Sequence, residues 1–293
     1  METIQISTSN RHLKITNAKP CVMALGFFDG VHIGHQQVIK EAKRIADEKK
    51  LPLCMMSFFP HPKEVLSNGR KIVPYLMPIS DKQRIFSELG ADTFYIIEFN
   101  REFASLSPKE FVQKYLLDFK VELAVAGFDF TYGRSGEGNM DRMKDDSNGQ
   151  ITGIKVTKIE FNGEKISSTL IRSLLFSGEV EKIPDYLGSY YQIEGKVTIL
   201  SSYGELYVNP YYLLPPSGIY EVTVCSKQMN TKLVAVVNDE KLKLINLSGK
   251  LLSFKHNEVV RIQWNKRLPN GMCSQLDRTF QFRKDRVSNR VVV

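Results

Sequence analysis

The chain is poor in the features that would mark a secreted, membrane-bound or metal-folded protein. It has four cysteines in 293 residues. Cys21, Cys54, Cys225 and Cys273 are scattered and none forms a CxxC pair, which excludes a zinc knuckle and a dithiol redox motif and leaves buried or idle thiols in a reducing compartment. No uninterrupted apolar run approaches the length of a membrane span. The opening METIQISTSNRHLK lacks the apolar stretch of a secretory leader, so a cytoplasmic location is expected. Neither GxxxxGK[ST] nor GxGxxG occurs, which excludes the usual P-loop and dinucleotide fingerprints. Acidic residues are outnumbered, giving a net charge of +8 and inviting an anionic partner. With no RNP-like aromatic motif and no helix-turn-helix pattern, phosphorylated small molecules are a better expectation than nucleic acid. The basic run at 278–290 reads as a solvated face.

What is present is an ordinary globular composition, 42% hydrophobic and 25% charged, in a length that suits one large domain or two ordinary ones. Residues 21–27, CVMALGF, read as a buried strand. From His35 to Lys50 the apolar residues Val38, Ile39, Ala42, Ile45 and Ala46 recur at helical spacing, and Leu51–Phe58 is again a strand. The alternation continues: a helix over 80–89, a strand at Thr93–Ile97, a helix capped by Ser107 with Pro108 at its first position, a strand at Val121–Ala126. Residues 133–150, glycine-rich and then charged, read as a surface loop or flap. Ile154–Ile159 returns to strand, and ISSTLIRSLLFSGEV supplies a helix with Gly178 just past its end. This is the pattern of a mainly parallel α/β sheet covered on both faces. After about residue 186, short strands at 191–199, 219–224, 233–237, 242–247 and 259–264 follow without helices between them, predicting an antiparallel sandwich or small barrel. The expected domains are 1–186 and 187–293.

The stretch GFFDGVHIGH at 26–35 carries the chemistry. It stands where a strand becomes a helix, and a helix start offers unpaired N–H groups and partial positive charge. Gly26, Gly30 and Gly34 let an anion approach the backbone, so the segment reads as an anion cradle. His32 and His35 lie one turn apart and can donate to phosphate oxygens without a permanent full charge, strengthening as charge builds in a transition state. Two histidines without a carboxylate or cysteine in register make a poor zinc site, so no protein ligand to a metal is expected. Ser168 and Thr169, at a second helix start with Arg172 nearby, have the groups to grip further phosphates.

The ordered set GFFDGVHIGHQ, FFPHP (58–62), GFDFTYG (127–133) and ISSTLIR (166–172) resembles the prokaryotic FAD synthetases, usually bifunctional riboflavin kinase/FMN adenylyltransferases. The resemblance implies a Rossmann-like nucleotidyltransferase domain followed by a flavokinase-like β-barrel. The implied reaction is ATP + FMN → FAD + pyrophosphate, with Mg²⁺ accompanying ATP. It further implies that His32 and His35 contact ATP phosphates, that Phe28, Asp29 and the three glycines shape the nucleotide pocket, and that Ser168, Thr169 and Arg172 close on the β- and γ-phosphates. Pro60, His61, Pro62, Asp129, Phe130 and Tyr132 fall in the family's flavin-side segments.

The second half departs from that family. GKV (195–197) and GIY (218–220) are present, but the stretch between them contains no PTAN segment. Where the family has a catalytic Glu on a later strand, this chain reads KLKLINLSG (241–249). A kinase needs a base for riboflavin's hydroxyl proton, so the barrel is expected to persist without kinase chemistry. Structural support, flavin sensing and RNA binding through Lys266, Arg267, Arg278, Arg283, Lys284 and Arg286 are the alternative roles.

Overall fold

The structure is a computed structural model that describes residues 1–16, 18–70, 73–200, 203–227, 229–238, 241–248, 252 and 254–269. Cys273 and the basic run at 278–290 lie outside these residues. The chain divides into two compact units, Met1–Ser168 and Thr169–Val293.

The first unit contains β1 (Glu2–Ile6), α1 (Arg11–Ile15), β2 (Cys21–Leu25), α2 (Ile33–Lys49), β3 (Leu53–Phe59), α3 (Pro62–Leu66), α4 (Ile79–Glu88) and β4 (Thr93–Glu98). It continues through α5 (Arg101–Ala104), α6 (Pro108–Val112), β5 (Val121–Gly127), β6 (Thr131–Tyr132), β7 (Gly138–Asn139), α7 (Met143–Asp146), β8 (Thr152–Val156), β9 (Glu160–Phe161) and β10 (Glu164–Lys165). Six strands form one sheet in the order β1-β4-β3-β2-β5-β8, every pair parallel. This is the α/β sheet that the alternating pattern predicts.

Its two faces follow from the alternation of side chains along a strand. Cys21, Met23 and Leu25 join one core with Cys54, Met56, Tyr95, Ala124 and Ala126. Val22 and Ala24 join the other with Leu53, Met55, Phe94, Ile96 and Val125. A strand buried on both faces reads as a continuous apolar run, which is why CVMAL carries no polar alternation. The apolar side of α2, Val38, Ile39, Ala42, Ile45 and Ala46, seals the second face.

Two differences from the sequence reading stand out. Strand β1 went unseen, because ETIQI has only its last residue fully buried. The segment 133–150 is not a loose flap: it holds β7, two 3₁₀ turns and α7, with Met140, Met143, Asp146 and Ser147 buried. Short turns of this kind leave too few residues for a hydrophobic period to emerge.

Helix α8 (Ser168–Ser177) starts at the last residue of the first unit, and Gly178 follows it at φ 79°, the left-handed closing conformation that glycine takes without strain. After α9 (Pro184–Leu187) come β11 (Gln192–Leu200), β12 (Tyr203–Val208), β13 (Gly218–Cys225), β14 (Asn230–Val237), β15 (Leu242–Ile245) and β16 (Glu258–Leu268). These close into an antiparallel barrel in the order β11-β12-β15-β14-β13-β16. Of the two all-β forms anticipated, closure decides for the barrel. Val197, Leu206, Val222, Val224, Leu244 and Trp264 are among its buried side chains. Strand β12, YGELYV, lies in the stretch to which the sequence reading assigns no element.

Candidate active site

Strand β2 is the topological switch point of the sheet: β3 lies on one side of it and β5 on the other. In such a sheet the crevice for a ligand opens beyond the carboxyl ends of the strands at that point. Leu25 stands level with Met56 of β3 and Ala126 of β5. The segments that leave these three positions are GFFDGVHIGH, the end of β3 leading into Pro60-His61-Pro62, and Gly127–Tyr132. Three stretches far apart in sequence therefore emerge side by side.

The turn between β2 and α2 is strained. Phe28 and Val31 hold φ values of 53° and 42°, beside Gly30 at 83°. A β-branched residue in the left-handed region is a conformational outlier, and such strain clusters at ligand clamps. Asp29 fixes the turn, its Oδ1 accepting from the Met77 N–H at 3.1 Å and its carbonyl accepting from the Ser168 hydroxyl at 2.8 Å. Ser168 of the fourth motif is thereby brought to the first. A Cβ on Gly26 would lie 2.9 Å from the Phe28 ring, and one on Gly34 would lie 3.2 Å from the His32 ring. These two glycines make room for the turn's own side chains, which refines their expected part in the cradle. Phe28 itself is buried between His35 and Phe86 and supports the corner from beneath.

His32 caps α2, its Nδ1 accepting from the His35 N–H at 3.2 Å. With Nδ1 occupied as acceptor, the neutral ring carries its proton on Nε2. The His32 and His35 rings stack with centroids 3.6 Å apart and planes inclined by 16°. His35 Nδ1 is buried without a hydrogen-bond partner among the described residues. Burial holds the His32 imidazole down to about 4, against the opposing pull of Asp29 and Asp129. His35 is held well below the usual histidine range by burial, by His32 and by Lys82. Both rings are thus neutral donors at pH 7.

On the β3 side, Phe27 meets the His61 ring edge-on at 4.7 Å, and the Tyr75 hydroxyl accepts from the His61 N–H at 3.0 Å. Pro60 and Pro62 bracket His61, whose Nδ1 caps α3 by accepting from the Lys63 N–H. On the β5 side, the exposed Asp129 pairs with Lys165 at 2.6 Å, and Lys165 also lies over the exposed Phe128 ring. Phe130 is half-buried against the core. Tyr132 is buried, with its hydroxyl donating to Asp146 at 2.8 Å. On α8, Ser168 and Arg172 are one turn apart on the same face, and Thr169 is exposed.

Sequence reasoning missed Ser57, Tyr75 and Lys82. Lys82 is 2% exposed, and its ammonium donates to the Phe27 carbonyl at 2.6 Å. Ser57 donates to the same carbonyl at 2.8 Å. The available signal was a lysine on the apolar stripe of α4, between Ile79 and Phe86. Tyr75 carried no such mark.

The family model of FAD synthetases matches residues 14–170. The chain belongs to the FAD synthetase family. All the strand ends just described lie within the matched span. A bifunctional riboflavin kinase/FMN adenylyltransferase of Bacillus subtilis is 38% identical over 92% of this chain and 90% of its own length. A FAD synthetase of Listeria monocytogenes is 30% identical over 78% of this chain and 88% of its own. Among solved structures, one titled as a macrolide-efflux protein from Streptococcus pneumoniae aligns with TM-score 0.79 at 26% identity, covering 92% of this chain and all of that one. Among the described residues no helix is long and apolar enough to cross a membrane.

Proposed function

We propose that this member of the FAD synthetase family transfers AMP from ATP to FMN, releasing pyrophosphate, and that its barrel has no riboflavin kinase activity. The observation that carries the first part is the convergence of the HIGH turn, the Pro60–Pro62 segment and the Gly127–Tyr132 segment beyond three adjacent strand ends at the switch point. An FMN phosphate oxygen attacks the α-phosphorus, and the bond to the pyrophosphate oxygen breaks. The nucleophile is already anionic, so the protein's part is alignment and stabilisation of charge. His32 and His35 donate to the phosphate oxygens. Gly26, Phe28, Asp29, Gly30 and Gly34 shape the turn around the nucleotide, while Ser168, Thr169 and Arg172 serve the β- and γ-phosphates. Pro60, His61, Pro62, Asp129 and Phe130 line the flavin side, with Tyr132 holding Phe130 from behind. Among the described residues no three His, Cys, Asp or Glu side chains cluster to hold a metal. Magnesium belongs to this reading as the counter-ion of the substrate ATP, held mostly by phosphate oxygens and water. Adenylyl transfer is assigned to residues 1–186, and 187–293 to the barrel.

The barrel's own groups support the second part. Strand β15 reads Leu-Lys-Leu-Ile and carries no carboxylate. Glu194, Glu205 and Glu221 each face a cation, Arg261, Lys241 and Lys266, pairings that support a structural part for these carboxylates. The competing reading, a working bifunctional enzyme, is favoured by the name of the Bacillus subtilis relative. One assay separates them: incubation with MgATP and either riboflavin or FMN, followed by chromatography of the flavins. FAD from FMN with no phosphorylation of riboflavin is expected. FMN appearing from riboflavin would overturn the loss of kinase activity, and no FAD from FMN would overturn the adenylyl transfer.

A further inference from the structure

Lys82 sits at the centre of the first unit's binding corner, yet no motif includes it. It projects from α4, and its ammonium reaches the Phe27 carbonyl at 2.6 Å and the Ser57 hydroxyl at 3.5 Å. The same nitrogen lies 4.4 Å from the centre of the Phe27 ring and 6.0 Å from that of Tyr75. One buried cation thus touches the turn after β2, the end of β3 and the Tyr75 wall. A methionine or leucine would fill the space without taking a charge out of water, and buried charges are retained where they do something an apolar side chain cannot.

We propose that Lys82 is a positioning residue for the triphosphate: it clamps the Phe27 carbonyl, so holding the strained Phe27–Val31 turn in its anion-binding form, and it lays a fixed positive charge beneath that turn. This rests on the reading of the turn as the nucleotide cradle. Phe28 and Val31 at positive φ relax readily unless neighbours over-determine them. The Phe27 carbonyl, one residue upstream of Phe28, accepts from both Lys82 and Ser57. The turn is therefore tethered at its entrance by Lys82 and Ser57, and further on by Met77 and Ser168 on Asp29.

The clamp has a pH signature. Burial pulls the Lys82 ammonium down to about 8, with Asp29 opposing. The groups that face it are Asp29 from the turn, His35 from α2, the Tyr75 ring from the connection before α4, and Ser57 from β3; His61 stands behind Phe27 and Tyr75. Of these, His35 is already neutral well below pH 7. Loss of the Lys82 proton is then the event that removes positive charge from the corner as pH rises from 7 to 9.5.

The test is calorimetric binding of MgATP to the full chain from pH 7 to 9.5, for the wild type, Lys82→Arg and Lys82→Met. The wild type is expected to lose about tenfold in affinity across this range with a midpoint near 8. Lys82→Arg, which does not titrate there, is expected to bind without that decline. Lys82→Met is expected to bind at pH 7 as weakly as the wild type does at pH 9.5, and to melt no lower than the wild type because a buried charge has been removed. A decline that persists in Lys82→Arg, a pH-independent wild type, or wild-type affinity in Lys82→Met overturns the proposal. So does failure of both variants to fold, which would make Lys82 a folding residue. FAD formation from FMN is measured alongside. Wild type that binds MgATP but forms no FAD refutes the proposed reaction and leaves the Lys82 result readable, whereas wild type that does not bind MgATP refutes the cradle itself.

Discussion

Two imidazoles stacked 3.6 Å apart cannot both hold a proton without mutual repulsion, and burial disfavours even one. The neutral pair is a set of donors whose hold strengthens as negative charge gathers on the phosphates. His32→Ala or His35→Ala is expected to lower kcat by roughly 10²–10³-fold, about 2.7–4 kcal/mol in barrier, while the affinity for FMN changes little. Steady-state kinetics and flavin fluorescence titration check the two halves of that statement. The depressed His32 also links stability to pH. The unfolded chain takes up a proton near the ordinary histidine value, whereas the folded chain resists until about 4. The sign is therefore a loss of stability as pH falls through that window, with none above it. Urea unfolding at pH 7 and at about pH 4.5 is expected to show wild type losing roughly 2–3 kcal/mol more than His32→Asn.

At the scale of elements, the segment from Gly133 to Gln150 shows how charge can hide packing. Its exposed Asp141, Arg142, Lys144 and Asp145 surround two methionines and a carboxylate that are buried. Asp146 is satisfied by the Tyr132 hydroxyl at 2.8 Å and by Arg142 at 3.1 Å. Tyr132→Phe removes one donor from a buried acceptor, which typically costs about 1–3 kcal/mol. A lower thermal midpoint with an unchanged KM for FMN is the expected outcome, because the hydroxyl is committed to the core and only the ring stands behind Phe130.

For the whole molecule, a net charge of +8 meets a nucleotide of strongly negative charge. Such attraction acts on encounter and fades as the screening length shortens with salt. Raising salt from about 50 mM to about 500 mM is therefore expected to lower kcat/KM for ATP several-fold and to leave kcat nearly unchanged. A kcat that falls in parallel would place the salt effect on the chemical step instead.

Local pattern alone determined the fold class and the motifs from which the candidate site is argued. CVMAL announces a strand covered on both faces, α2 shows its apolar stripe, and the four motifs can be read in order, because each depends on neighbours close in sequence. Tertiary structure decided the rest. Which strand ends stand side by side follows from the order β3-β2-β5, a pairing that no local period encodes. Gly26 and Gly34 serve the rings of Phe28 and His32, a contact made only when the turn closes. Lys82 and Tyr75 reach the site from outside every motif, because burial and distance belong to the folded chain and a lone lysine on a helix is ordinarily read as solvated.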